Sequence, residues 1–218
     1  FFMYRYSKML ITITLLTIAA PMPLPAEDTP MNDQRRQALE NGEILMDLKQ
    51  HPITKVYLPT GQCLVEGTVQ EVWWVITDFD SFGEFLPQVV YYKPLVWQGD
   101  RLLMDCKVKV LFLKFDYRLS YIIDEENHTT YWFYVSGPIR DSQGYWRVEP
   151  YDDTRVIVTY TTTMDVGRAM PGFIEKFLAK TTFPEIFSSL KKRVKELKQQ
   201  GPIKKPSLPL KPASQRAH

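Results

Sequence analysis

The chain has 218 residues, of which 44% are hydrophobic, 13% aromatic and 24% charged. This composition excludes a collagen-like or intrinsically disordered chain and predicts one folded domain with appendages. The formal net charge is only +2, which argues against a general nucleic-acid-binding protein. The charge is unevenly divided, because residues 27–190 hold 16 basic and 24 acidic residues, whereas residues 191–218 hold nine basic residues and one acidic residue. An acidic body is therefore followed by a basic C-terminal segment.

The first 26 residues predict an export signal. The apolar run MLITITLLTIAA follows Arg5 and Lys8 and precedes PMPLPAED. A positive flank, a short apolar run and a small residue at Ala26 indicate a secretory signal that is cleaved after Ala26. The run is shorter than the roughly 20 residues that span a bilayer, and the prolines after it disfavour the alternative of a buried helix. We expect a periplasmic or secreted protein.

An N-terminal extension precedes the main domain. The extension, residues 27–61, is predicted to contain a helix over 32–40, capped by Asn32 or Asp33, and a strand over 43–49. The main domain, residues 62–200, begins with a strand that ends at Thr68. Apolar residues at helical spacing over 69–77 and a second short helix before Pro87 follow this strand.

Six strands and a long helix complete the predicted main domain. Alternation or turn signals predict strands over 89–97, 102–110, 115–123, 130–135, 145–149 and 155–164, with a loop between Gly137 and Gly144. Their short connections indicate an antiparallel meander. A helix over 171–199 carries an apolar stripe, and Pro184 is expected to kink or divide it. The Pro-rich basic residues 201–218 predict a disordered tail.

Three motifs, in this order of elements, resemble the polyketide-cyclase/START-like lipid-binding superfamily, which includes coenzyme Q-binding-protein-like members. They read TVQEVWWVITDFDSFGEFLPQV, GPIRDSQGYWRVEPYDDTRVIVTYTTTMDV and MPGFIEKFLAK…SSLKKRVKEL, within residues 62–198. The resemblance implies an α+β helix-grip fold of the START/Bet v 1 type, in which a curved antiparallel sheet wraps around a long C-terminal helix and leaves an internal cavity. It also implies a lipid or other hydrophobic small molecule as the ligand. Carriers and polyketide cyclases both occur in this superfamily, so the fold does not define the activity.

In such a fold the apolar alternates of the strands point inward and face the long helix. Their tyrosine and threonine hydroxyls need partners when buried, which suits a hydrophobic ligand with one or two polar groups. For each single residue, ordinary core packing is the alternative. The predicted ligand-binding residues are Met104, Cys106, Val108, Tyr117, Leu119, Tyr121, Trp146, Val148, Tyr160, Thr162, Met164, Phe173 and Phe177. Arg118 is one of the polar residues that alternate with the apolar ones in its strand. It either faces solvent or anchors a ligand carboxylate or hydroxyl.

The sequence contains no recognisable catalytic or metal-binding motif. His51, His128 and His218 are scattered, no Cys/His/carboxylate spacing indicates zinc, and no glycine-rich loop would cradle a phosphate. We therefore expect no catalytic residue, metal or cofactor, and we favour a lipid-binding or transport protein. A cyclase/aromatase-type enzyme that uses the same cavity is the alternative, which lacks an evident acid/base pair on the predicted inner face.

Two segments suggest contact with a membrane. The turn Leu111–Leu113 offers three apolar side chains, which either insert into a membrane or fold over the sheet edge. The basic segment 191–218 either is solvated or contacts an anionic membrane, and it lacks the interleaved aromatics of a nucleic-acid site. Cys63 and Cys106 either form one disulfide or remain free thiols. We expect a monomer.

Overall fold

An eight-stranded antiparallel sheet and one long helix dominate the computed structural model. The structure describes residues 31–50, 57–110, 113–167 and 172–209, without the side chains of 48–50, 57–58 and 172–180. The strands are β1 (Leu45–Gln50), β2 (Tyr57–Glu66), β3 (Val89–Gln98), β4 (Arg101–Val110), β5 (Leu113–Asp124), β6 (Thr129–Ser136), β7 (Asp141–Pro150) and β8 (Arg155–Asp165). The helices are α1 (Asp33–Glu40), α2 (Val69–Thr77), α3 (Phe82–Phe85) and α4 (Gly172–Gln200), with a 3-10 turn at Phe79–Ser81. The predicted export signal lies outside the described residues.

The predicted six-strand meander is confirmed, because β3 to β8 are consecutive neighbours in the sheet order β1-β2-β8-β7-β6-β5-β4-β3. The remaining strand β2 pairs with β8 and also with β1, which forms one edge of the sheet. The predicted N-terminal extension thus supplies an edge strand, and the predicted domain start at residue 62 lies inside β2. Pro59 and Gly61 weaken the strand signal at the start of β2, but pairing with two neighbours keeps these residues in the sheet.

Side-chain caps fix the starts of two helices. Asn32 Oδ1 accepts a 2.8 Å hydrogen bond from the Arg35 amide, as the predicted cap of α1 requires. At α2, Thr68 and Glu71 form a capping box: Thr68 Oγ1 accepts from the Glu71 amide at 3.2 Å, and Glu71 Oε2 accepts from the Thr68 amide at 2.8 Å. The capped α2 buries its apolar face in the core, which confirms the predicted helix over 69–77.

One predicted loop is regular structure instead, and of the two outcomes expected at Pro184, a kink or a division of the helix, the division is not observed. Strand β7 begins at Asp141, so the predicted loop up to Gly144 is wrong. A Cβ on Gly144 would collide with the Thr161 carbonyl oxygen and with the Trp132 indole. Glycine here therefore permits close packing within the sheet rather than a turn. Helix α4 runs through Pro184 as one element. Its buried neighbours Phe183 and Phe187, at 3% and 0% exposure, hold this turn against the sheet.

The described part of the C-terminal tail lies against the folded domain. Residues 201–209 have no helix or strand, but Ile203 and Leu208 pack against the core. The Pro209 carbonyl also accepts a 2.7 Å hydrogen bond from Trp97 Nε1. The composition predicts disorder because few of these residues are apolar. Ile203 and Leu208 nevertheless pack against apolar surface of the core. Residues 210–218 lie outside the described ranges.

The predicted membrane turn is only partly described. Leu113 starts β5 and is half-buried, whereas Leu111 and Phe112 lie outside the described residues. None of the helices in the described ranges combines the length and the hydrophobicity needed to cross a membrane.

Candidate functional site

One face of the sheet, called the inner face below, packs against α4. The register places Gly61, Tyr160 and Trp146 side by side on this face. Phe187 of α4 lies over them, with its ring centroid 6.3 Å from that of Trp146 and 6.4 Å from that of Tyr160. A Cβ on Gly61 would collide with the Phe187 ring, so the glycine permits close approach of helix and sheet.

The strand residues predicted to bind a ligand lie on this inner face. Eight of them are buried, namely Met104, Cys106, Val108, Tyr117, Leu119, Tyr121, Trp146 and Val148. Tyr160, Thr162 and Met164 are half-buried. Phe173 and Phe177 belong to the part of α4 whose side chains are not described. Contact of these residues with a ligand remains a prediction.

Burial along the inner face decreases toward one end of the sheet. The exposed fraction rises from 0% at Leu102 to 7% at Val108 along β4, and from 0% at Leu119 to 7% at Tyr117 along β5. The inward residues beyond these positions are half-buried, namely Val110, Phe115, Tyr134 and Met164. We call this the open end, where β4 leads to β5 and β8 leads to α4. The opposite end, with the β3–β4, β5–β6 and β7–β8 turns, is the turn end.

Stacked aromatic rings line the middle of the inner face. Tyr160 stacks on Trp146 with ring centroids 4.1 Å apart and on Trp132 with centroids 5.7 Å apart, both at 29° between planes. Trp132 continues the stack to Tyr121 at 5.8 Å. From α4, Phe183 approaches Tyr160 with a centroid distance of 5.1 Å. These rings form an apolar wall on the inner face, where the sheet meets α4.

A group of neutral hydroxyls interrupts this wall. The Tyr117 hydroxyl lies close to the side chains of Tyr92 and Ser142, and Tyr92 also lies close to Tyr121. Burial raises the pKa of Tyr92, Tyr117 and Tyr121 and raises the pKa of Tyr160 to about 12. Tyr92 and Tyr160 are half-buried.

Charged side chains of the described strands lie away from the inner face. On the inner face, the strand residues that the structure describes carry no acidic or basic side chain. Arg118 points to the other face, where its Nε lies 2.7 Å from Asp105 Oδ1, so its predicted solvent-facing role fits the structure. No group of metal-ligating side chains occurs within the described ranges. The described strand side chains of the inner face therefore offer apolar contacts and neutral hydroxyls.

Both cysteines are free thiols on the inner face. Cys63 and Cys106 are 0% and 1% exposed and form no disulfide. Burial raises the pKa of the Cys63 thiol to about 12 and also raises the pKa of Cys106. Thiols with such pKa values behave as small apolar groups.

Sequence analysis missed several residues of this site, namely Tyr92, Trp132, Ser142, Phe183 and Phe187. In β3 the pairing with β4 shifts register between Val89 and Tyr91 and again between Pro94 and Val96, so simple alternation does not assign Tyr92 to the inner face. In β6, aromatic residues occupy both faces, so alternation does not assign Trp132 to the inner face either. A helical-wheel projection contains Phe187 in the apolar stripe, but only packing shows which turns of α4 meet the sheet.

A separate groove of about 310 Å³ lies near the turn end, away from the hydroxyl group. Its lining comes from α2 and its following residue, from the end of α4 and from the chain after it: Trp74, Val75, Asp78, Leu197, Gln200, Gly201, Pro202, Ile203 and Lys204. The groove mixes apolar and charged side chains and does not overlap the predicted ligand-binding residues.

The curved antiparallel sheet that grips a long C-terminal helix and lines it with apolar side chains defines a helix-grip protein of the START type. Within that class, the chain belongs to the family of polyketide cyclases/dehydrases and lipid transport proteins, whose sequence profile matches residues 65–191. The family resemblance inferred from the sequence motifs is thereby confirmed.

Solved structures show the same fold in proteins with different activities. A STAR-related lipid transfer protein from Xanthomonas axonopodis has a TM-score of 0.60 and 15% identity, covering 70% of this chain and 93% of the other. Human StAR-related lipid transfer protein 5 has a TM-score of 0.59 and 14% identity, covering 72% and 84%. The Zhui aromatase/cyclase from Streptomyces sp. R1128 has a TM-score of 0.55 and 14% identity, covering 66% and 94%. At these identities the similarity concerns the fold. A search of curated protein sequences finds no match.

Proposed function

We propose that the protein binds a lipid or other uncharged apolar molecule between the inner face and α4, and that it carries this molecule between membranes. The observation that carries the proposal is the combination of an accessible open end with neutral hydroxyls set in an aromatic wall. Apolar ligand sites usually combine a hydrophobic lining with a few polar groups that orient the ligand. Tyr92, Tyr117 and Ser142 are such groups here.

The inner face favours binding over chemistry. A general base needs a pKa near the working pH, whereas burial raises the pKa of each inner tyrosine above its ordinary value. Neutral tyrosines donate and accept hydrogen bonds without taking up a proton.

A cyclase/aromatase-type enzyme is the second candidate. It is favoured by one observation, the placement of the Tyr117 hydroxyl beside Tyr92 and Ser142, which could hold a polyketide carbonyl. This enzyme would shape a reactive chain rather than supply a strong acid or base. It predicts product formation that changes when Tyr117 is replaced by phenylalanine.

Native mass spectrometry of the gently purified protein tests the carrier proposal. We expect a co-purified lipid or other apolar molecule, and transfer of it from donor to acceptor vesicles. A protein that retains no such molecule and takes up neither sterol, quinone nor phospholipid contradicts the proposal. Turnover of polyketide substrates with no vesicle transfer would support the enzyme instead.

We further propose that the protein acts in the periplasm or outside the cell and touches membranes at its open end. The apolar run before Ala26 supports export, and cell fractionation with N-terminal sequencing tests it. The turn Leu111–Leu113 joins β4 to β5 at the open end, where apolar side chains could enter a bilayer. Two basic residues of the segment lie near acidic groups of the body instead, since Arg193 and Lys198 pair with Glu84 and Glu71 at 2.7 and 3.6 Å.

A further inference from the structure

The residues Gly201–Pro209, called the strap below, cross the turn end of the sheet. Lys205 lies over the turn between β5 and β6, with its Nζ 3.3 Å from Glu125 Oε1. Further along, the Pro209 carbonyl accepts the hydrogen bond from Trp97 Nε1 near the end of β3. The strap therefore bridges two turns at the same end of the sheet.

The strap covers apolar surface that the sheet and helices leave open. Trp97 faces inward at the end of β3 and is only 6% exposed. Ile203 and Leu208 of the strap are half-buried and pack against the same core. The strap therefore covers apolar surface beside Trp97 at the turn end.

The strap is held loosely. Its ion pair is highly exposed, at 62% for Lys205 and 61% for Glu125, and exposed pairs contribute little to stability. The strap forms no strand or helix. The groove of about 310 Å³ separates part of it from Trp74 and Asp78, which shows that the packing beneath it is incomplete.

The strap and the surface beneath it carry opposite charges. Lys204 and Lys205 are exposed, and Lys204 forms no ion pair with any residue that the structure describes. The turn below contains Asp124, Glu125 and Glu126. An anionic lipid surface attracts the lysines, at a strength comparable with a single exposed ion pair, and it repels the carboxylates.

We propose that the strap is a latch over a second opening of the inner space, and that an anionic lipid surface releases it by competing with Glu125 for Lys205. Release would uncover Trp97 and give the bound molecule an exit at the turn end, opposite the open end. The purpose of this exit rests on the proposed carrier function. The latch itself can be tested without any ligand.

Spin labels measure the position of the strap directly. Nitroxides attached at Ser207→Cys and Asp100→Cys report the distance between the strap and the β3–β4 turn, and both positions are exposed. The natural cysteines are buried and stay unlabelled. We expect one short distance in solution and with phosphatidylcholine vesicles. Vesicles that also contain phosphatidylglycerol should give a longer, broader distribution.

Charge variants in this labelled background separate the latch from the membrane attraction. E125Q should raise the released population in solution about two- to fivefold, the range of one exposed ion pair, whereas E126Q in the same turn should not. K204Q should stay latched in solution but respond less to phosphatidylglycerol vesicles.

Two results would overturn the proposal. One is a strap that stays at the short distance on protein bound to phosphatidylglycerol vesicles. The other is an equal released population in E125Q and E126Q. A protein that holds no apolar ligand in native mass spectrometry but releases its strap refutes the carrier function and leaves the latch intact.

Discussion

Trp146 of β7 and Tyr160 of β8 stack on the inner face with their ring centroids 4.1 Å apart. The stack lies under Phe187, whose ring stands nearly perpendicular to both, at 83° and 85°. Edge-to-face and offset contacts of this kind add to the free energy of burial. The three residues tie the sheet to α4 and form the wall against which an apolar ligand would lie.

The Tyr117 hydroxyl should matter for ligand binding but little for folding. Tyr117→Phe removes one hydrogen-bonding group, a loss of about 0.5–1.5 kcal/mol, and we expect the affinity for the co-purified ligand to fall by roughly two- to tenfold. Isothermal titration calorimetry on the two proteins measures this. Tyr131→Phe on the outer face is the matched control and should bind normally. Equal affinity of all three proteins would show that the ligand does not touch the hydroxyls.

Gly61 and Phe187 should depend on each other. Gly61→Ala places a Cβ against the Phe187 ring, and we expect overpacking to cost about 1–3 kcal/mol of unfolding free energy. The smaller side chain in Phe187→Leu should reduce the cost of adding that methyl group. Urea unfolding of both single variants and the double variant gives the coupling energy. Additive effects would mean that Phe187 does not limit the approach of α4 to the sheet.

The inner tyrosines should make the protein sensitive to alkali. Burial raises the pKa of Tyr160 from 10.0 to about 12, so above pH 10 the unfolded state loses a proton that the folded state keeps. The unfolding free energy should therefore fall between about pH 10 and 12 and stay unaffected by this group at lower pH. Thermal melting across this range measures the fall. Tyr160→Phe should show a smaller pH slope, and an unchanged slope would contradict the assignment.

Both thiols should be unreactive in the folded protein. Cys63 is 0% exposed, and burial raises its pKa to about 12, so a thiol reagent should reach it only through opening of the structure. Cys106 beside the hydroxyl group should behave alike and should be protected further by bound ligand. Mass spectrometry after timed labelling measures both sites. Rapid labelling of either thiol in the native protein would show that the inner space is more open than described.

The sequence predicted the structure correctly where a local pattern determines which way a strand residue faces or where a helix starts. The alternation in β4, β5 and β8 assigned inward and outward residues correctly, because a strand places successive side chains on opposite faces. A cap residue marked the start of α1, and apolar residues at helical spacing marked α2. Such signals depend on neighbours in sequence and need no knowledge of distant contacts.

Local patterns gave the wrong prediction where a contact with a residue distant in sequence determines the structure. Gly144 was predicted to end a loop, yet it lies in β7, where the absence of a Cβ leaves room for Trp132 of the adjacent strand. Tyr92 reaches the inner face only because the pairing of β3 with β4 shifts register. The predicted facing residues of the long helix, Phe173 and Phe177, lie in the part of α4 without described side chains, whereas Phe187 makes the contact that the structure shows.

The net charge of +2 illustrates the division between sequence and structure. Sequence by itself determined the order of elements, the inward positions of the regular strands and the split into an acidic body and a basic C-terminal segment, since each follows from local composition. Tertiary structure decided where those charges go, by bringing Lys205 to Glu125 and Arg193 to Glu84 across 80 and 109 residues of chain. It also decided which aromatic rings and hydroxyls meet. Contacts between residues far apart in sequence depend on how the sheet and the helix pack together. Local sequence patterns do not predict this packing.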